Sequence, residues 1–218
     1  MSRRYEVSFI DAEVKKWLDE KAPEDGLCLG RFHADFTVEG LCSMEAGQEL
    51  EIEDMKYRLT VTGKKCFSEC ELLRRIGDKC PLASGVAFGK SVGPSADKWL
   101  ETAKSHESAP NIGMYLVHNG VVRRTAKAQV RDGIENASPV SAMEFSYDAA
   151  ELETAVAETY KMPGIYYIRT WLAEGRLEVG DSIMYILIGG DMRPNVTAAL
   201  DYLVGRIKNE CVIEKEIY

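Results

Sequence analysis

The sequence predicts an α+β protein built from two differently constructed halves. Residues 1–93 read as many short strands punctuated by glycines, and residues 111–218 follow the order β-β-α-β-β-α. Between them lies a polar, proline-bounded stretch at 94–110 that reads as a linker containing a short helical run. A chain of 218 residues with 45% hydrophobic content is long enough for two small domains, each with its own core.

In the first half, Tyr5–Ile10 alternates as a strand, and Asp11 is placed to cap a helix from Ala12 to Lys21 ahead of Ala22-Pro23. Arg31–Val38, Glu49–Ile52 and Tyr57–Lys64 carry strand patterning, with Gly26, Gly30, Gly40, Gly47 and Gly63 as punctuation. Such a set predicts a β-barrel or sandwich. In the second half, Gly113–Val122 and Val140–Tyr147 are predicted strands, and Asp148–Tyr160 is an amphipathic helix with Asp148 as N-cap. Two further strands follow at Ile165–Trp171 and Ser182–Gly190. The helix Pro194–Asn209 starts on a proline, whose missing N–H costs nothing in a first turn. Both helices are expected on one side of a mostly antiparallel sheet.

The net charge is -8, and neither half is basic: residues 1–105 hold 16 basic and 19 acidic side chains, residues 106–218 hold 11 and 16. A nucleic-acid binder would need a basic surface, so that class is not expected. An anionic ligand must instead be met by a few placed cations. The N-terminal residues alternate without an apolar run, which predicts no signal peptide, and no stretch is apolar enough to span a membrane. Six cysteines without a secretory signal read as reduced thiols, so a cytoplasmic protein is expected.

Four basic residues stand at element ends. Arg123 closes the first strand of the second half, Arg193 follows its last strand, Lys208 lies near the end of the last helix, and Lys215 sits in an extended tail. Taken singly they are solvated charges; taken together at element ends they suit an anion. Gly113–Arg123 (GMYLVHNGVVR) ends in Gly-x-Val-Arg. Arg176–Glu216 carries a Leu-x-x-Gly-Asp turn, an apolar strand, Arg193, a helix, and Lys208 and Lys215 seven residues apart. In these features the second half resembles the large subunit of molybdopterin synthase, the MoaE family.

The resemblance implies an α/β-hammerhead-type domain and a sulfurtransferase active in molybdenum cofactor biosynthesis. Cyclic pyranopterin monophosphate would receive two dithiolene sulfurs to become molybdopterin. The sulfur would come from a small ubiquitin-like carrier subunit with a C-terminal Gly-Gly thiocarboxylate. It further implies Lys208 and Lys215 as the catalytic pair, Arg123 and Arg193 as anion-binding groups, and a homodimer with its sites near the subunit boundary. Beyond the pterin substrate and product, no tightly bound cofactor is expected. The chain departs from the family at Met192, which takes a substrate-binding position usually held by histidine, and at Arg169–Leu172. Cys211 reads as a packed thiol, and His118, inside a strand, as structural.

In the first half, Cys66, Cys70 and Cys80 do not have a zinc-ribbon spacing and no histidine completes a ligand set, so no metal is expected. Either one of these thiols is functional or all three are packed. Leu29–Leu41, Leu59–Cys66 and Cys80–Phe88 follow the order of the MOSC family, and the half resembles an abbreviated MOSC barrel. That likeness implies cofactor binding or sulfur carriage on Cys66. The leading expectation is thus a fused enzyme; the alternative is a non-catalytic carrier that holds pterin or molybdenum cofactor.

Overall fold

The computed structural model describes residues 7–21, 32–76, 80–133 and 138–218. It divides into two compact units, 1–91 and 92–218. Parts of three expectations lie outside the described residues: Tyr5 and Glu6 of the first strand, Arg31 of the second, and the turns at Gly26 and Gly30.

In the first unit, β1 (Val7–Asp11) leads directly into α1 (Ala12–Lys21). The expected cap is present: the Glu13 backbone N–H donates to Asp11 Oδ1 at 3.0 Å, and the Cys42 N–H donates to Oδ2 at 3.2 Å. Then come β2 (Phe36–Val38), β3 (Glu49–Ile52), β4 (Met55–Thr62), the short helices α2 (Glu71–Ile76) and α3 (Pro81–Ser84), and β5 (Val86–Pro94). The described strands form one five-stranded sheet in the order β2-β1-β5-β4-β3. Where a barrel or sandwich was expected, the described sheet therefore ends at β2 and β3.

Period-two alternation sorts the core of this unit. Ile10 and Val86 turn to the face covered by Val14 and Leu18 of α1, while Phe9 and Ala87 turn to the opposite face with Tyr57 and Leu59. The strand expected over 57–64 instead covers 55–62, because Gly63 adopts φ 73 and turns the chain out of the ladder.

The second unit opens with α4 (Ala96–Lys104), inside the stretch expected to be a linker. Trp99 and Ala103 are 2% and 0% exposed and pack with Tyr167 and Leu187, so this stretch is part of the second unit's core. There follow β6 (Met114–Val121), α5 (Lys127–Asp132), β7 (Ala142–Tyr147), α6 (Ala149–Thr159), β8 (Ile165–Leu172), β9 (Gly175–Glu178), β10 (Ser182–Gly190), α7 (Arg193–Arg206) and β11 (Val212–Ile217). Asp148 caps α6 as expected, accepting from the N–H groups of Ala150 and Glu151.

The strands form two three-stranded antiparallel sheets, β6-β10-β8 and β11-β7-β9, where a single sheet was expected. Val196, Ala199 and Leu203 of α7, with Ile207 just beyond its end, are fully buried at i, i+3 and i+4 spacings against Ile186 and Ile188 of β10. The intervening Tyr185 and Leu187 face the aromatic cluster under α4. Burial on both faces explains why β10 reads as an almost continuous apolar run. Among the described residues no helix is long and apolar enough to cross a membrane.

Candidate active site

The second unit contains a cavity of about 210 Å³ at the end of β6 and α7. Arg123, just beyond β6, lines it, and so does Lys208. Lys208 lies in a π-turn, Ile207–Cys211, that joins α7 to β11. Ile207 and Cys211 anchor this turn in the core at 0% and 4% exposure, leaving Lys208 on its open side. A π-turn displaces side chains from the regular helical spacing, a distortion often found at functional positions. Burial pushes the Cys211 thiol up, with Glu151 and Glu210 adding to it, so this cysteine is the packed thiol expected.

Lys127, at the start of α5, is a third cation on the cavity wall. Two carboxylates from β11 face the three cations. Glu214 pairs with the Lys127 ammonium, and Glu216 accepts from the Lys127 backbone N–H at 2.9 and 3.1 Å. His118 of β6 completes the polar lining. It shares the inward face of β6 with Met114 and Leu116, which pack against the core. Burial first, and then the nearby Lys208 charge, push its imidazole pKa below the ordinary value.

The structure separates the other candidates from this cavity. Lys215 alternates away from Glu214 and Glu216 on β11 and stands exposed opposite Glu144, so the two lysines do not form a pair inside it. Arg193 is exposed at the first turn of α7, and at 1.5 Å per residue Lys208 lies about 22 Å further along. Met192, 61% exposed, is the N-cap residue of the same helix. Asp191 holds this corner, accepting from the Met192 N–H and from Asn195 Nδ2 at 2.8 Å. Cys66 belongs to the first unit, partly exposed in the loop after β4, whereas Cys70 and Cys80 pack against the core there.

Three polar residues of the cavity, Lys127, Glu214 and Glu216, were not singled out by the sequence, and His118 was read as structural. The alternation in VIEKEI places Glu214 and Glu216 on one side of a strand, but only the pairing of β11 with β7 reveals which side faces inward. On β7, Phe145 and Met143 stand opposite Glu214 and Glu216 and are buried.

Residues 95–210, more than half of the chain, match the family described as MoaE protein. No curated protein matches. Among solved structures, molybdopterin synthase from Staphylococcus aureus is 21% identical, covering 50% of this chain and 76% of its own at a TM-score of 0.41. A molybdopterin biosynthesis MoaE protein from Burkholderia ambifaria is also 21% identical, covering 56% and 77% at a TM-score of 0.43. A complex of subunits 1 and 2 of molybdopterin-converting factor from Helicobacter pylori is 19% identical, covering 56% and 83% at a TM-score of 0.41.

Proposed function

Since this chain belongs to the MoaE protein family, we propose that it serves molybdenum cofactor biosynthesis as the large-subunit type of molybdopterin synthase. In this reading a small carrier with a C-terminal thiocarboxylate delivers sulfur to cyclic pyranopterin monophosphate. The carrier's sulfur forms the new carbon–sulfur bond as a carbon–oxygen bond of the pterin side chain breaks and its oxygen leaves; water then cleaves the acyl–sulfur bond, so the carrier departs as a carboxylate. The observation that carries the reading is that Arg123 and Lys208, distant in sequence, line one cavity. Two cations there are suited to a phosphate or a thiocarboxylate, and preorganised charge is the largest means of stabilising such anions.

At about 210 Å³ the cavity is smaller than the roughly 300–1,000 Å³ usual for small-molecule sites, so it suits one part of the substrate. A homodimer would let Arg193 of a second copy supply what the same chain's Arg193 is too distant to give. In this reading Lys215, exposed on the outer face of β11, contacts the carrier rather than the contents of the cavity. For the first unit, the MOSC-like order of its segments supports a separate proposal that Cys66 carries sulfur. Unchanged activity in Cys66→Ser would remove it.

A second reading, a pterin or cofactor carrier without turnover, is favoured by Glu214 and Glu216, which already engage Lys127 at the cavity. The two are separated by mixing the protein with the pterin precursor and a thiocarboxylated carrier and measuring dithiolene product. Product that disappears in Lys208→Ala supports the enzyme. Precursor binding without product leaves the carrier reading standing.

A further inference from the structure

We propose that Glu214 selects the ring of the substrate, its carboxylate accepting from the 2-amino group and the adjacent ring N–H of a pterin. The inference rests on the reading above that a pterin enters this cavity, and it names the side chain that recognises it. The two carboxylates that β11 sends to the cavity are committed differently. Glu216 is fully engaged: both of its oxygens accept the Lys127 backbone N–H, and Oε2 also accepts the Tyr218 hydroxyl at 2.9 Å. It pins the start of α5 to β11. Glu214 uses only Oε1, on the Lys127 ammonium, and its Oε2 has no hydrogen-bond partner among the described residues. The ion pair fixes the direction of the Glu214 carboxylate and leaves one oxygen open to a ligand. An ionised carboxylate only accepts hydrogen bonds, and Oε1 retains a second lone pair. Two neighbouring donors can therefore be met at once.

Charge is distributed unevenly over the cavity wall. Arg123 and Lys208 are exposed, and neither makes an ion pair among the described residues. The Glu214 side chain is 23% exposed. The two unpaired cations thus stand at the rim, and the carboxylate lies further in. Met143 and Ile183, both buried, supply apolar wall, and Gly120 lines the same cavity without a side chain. A flat heteroaromatic ring needs this combination: apolar contact for its faces and a few placed polar groups for its edge. A cavity of about 210 Å³ suits the ring's pyrimidinone end, with the phosphate left at Arg123 and Lys208.

The pterin edge presents two parallel N–H donors, from the 2-amino group and the ring nitrogen beside it, next to a 4-oxo acceptor. A carboxylate matches the donors. Lys127 gives one of its three N–H donors to Glu214, which leaves donors for the 4-oxo oxygen. A ring with an oxo group at position 2 would instead set oxygen against the Glu214 oxygen. A half-buried acceptor left facing another acceptor costs more than a missing contact, so such a ring is rejected.

The test compares pterin with lumazine, the same ring with a 2-oxo group in place of the 2-amino group. Binding of each to the full chain is followed at neutral pH by the ligand's own fluorescence, in the wild type and in Glu214→Gln. The wild type should bind pterin about 10- to 100-fold more tightly than lumazine, the difference expected of hydrogen bonds to a charged acceptor. In Glu214→Gln that preference should collapse while inorganic phosphate still binds the rim cations. Equal affinities of the wild type for the two rings overturn the inference without reference to any variant, and leave the pterin reading of the cavity in place. An undiminished preference in Glu214→Gln overturns it as well. Loss of phosphate binding in that variant would make Glu214 a group that orders the cavity rather than one that reads the ring. A wild type that binds neither ring also overturns the inference; dithiolene product from the same protein would then keep the sulfur-transfer reading without this contact.

Discussion

Replacing Gly190 by alanine destabilises the second unit, while the same change at Gly205, near the other end of α7, stabilises it. Gly190 ends β10 just before α7. A Cβ there would stand 2.5 Å from the Gly164 carbonyl oxygen and 2.8 Å from Val196 Cγ2. Neither neighbour yields easily. The Gly164 oxygen accepts the Asp191 N–H at 2.9 Å, and Val196 is fully buried under the sheet. Overpacking of this kind costs about 1–3 kcal/mol. Gly205 lies within α7 and a Cβ there meets nothing within 4 Å. Glycine in a helix costs roughly 0.5–1 kcal/mol relative to alanine, so Gly205→Ala gains about that amount. Urea unfolding followed by tryptophan fluorescence measures both changes. A Trp17→Phe background confines the signal to Trp99 and Trp171, both in the second unit. Equal stabilities for Gly190→Ala and its parent, or a loss in Gly205→Ala, would refute the packing argument. Because Gly190 also sets the start of α7, its substitution should displace Arg193 as well.

Further outcomes concern charge and assembly. The folded Asp11 carboxyl is lowered from its ordinary value. Burial alone would raise it, but the N–H groups of Cys42 and Glu13 outweigh that effect. Its contribution is therefore present above the unfolded pKa of about 3.9 and is lost as pH falls through the lower folded value. Asp11→Ala should cost about 1–3 kcal/mol at neutral pH and flatten the acid limb of a stability–pH profile. Titration with inorganic phosphate should show Lys208→Ala binding about tenfold more weakly, the worth of one charge-assisted hydrogen bond, and Lys215→Ala unchanged. Glu214→Gln should tighten the same titration by freeing the Lys127 ammonium; weaker binding would show that Glu214 orders the cavity instead. If Arg193 serves a second copy, mixing inactive Lys208→Ala and Arg193→Ala chains restores turnover up to about a quarter of wild type, since half the dimers are mixed and each has one complete site. No restoration would place each site within one chain.

Local signals were sufficient where one residue decides an element. Asp11 and Asp148 mark helix starts because their carboxylates accept the first free N–H groups, and the structure contains both caps. Sheet assembly was harder to read. The central strand β5, running Val86–Pro94, carries Gly89, Gly93 and Pro94 and so resembles a turn region. Gly89 is there because the strand packs too closely for a side chain: a Cβ would meet the Arg58 carbonyl oxygen at 2.5 Å. Likewise the polarity of 94–110 suggested a linker. α4 buries only a narrow stripe, Trp99 and Ala103, and its remaining positions are free to be polar.

The candidate site shows what intervals along a chain can and cannot specify. Fifteen residues from Arg193 to Lys208 identify a helix with a cation at each end, and a helix keeps its ends about 22 Å apart. The interval therefore records two positions rather than one binding site. Seven residues from Lys208 to Lys215 cross a π-turn and enter a strand, where each step of one residue reverses the facing. Lys215 is thereby carried outward, and Glu214 and Glu216 inward. His118 is the converse case. On an inward strand face an imidazole resembles a core residue until its buried nitrogen proves to have no partner among the described residues. Its place beside Lys208 depends on the turn after α7, and no pattern within β6 encodes it.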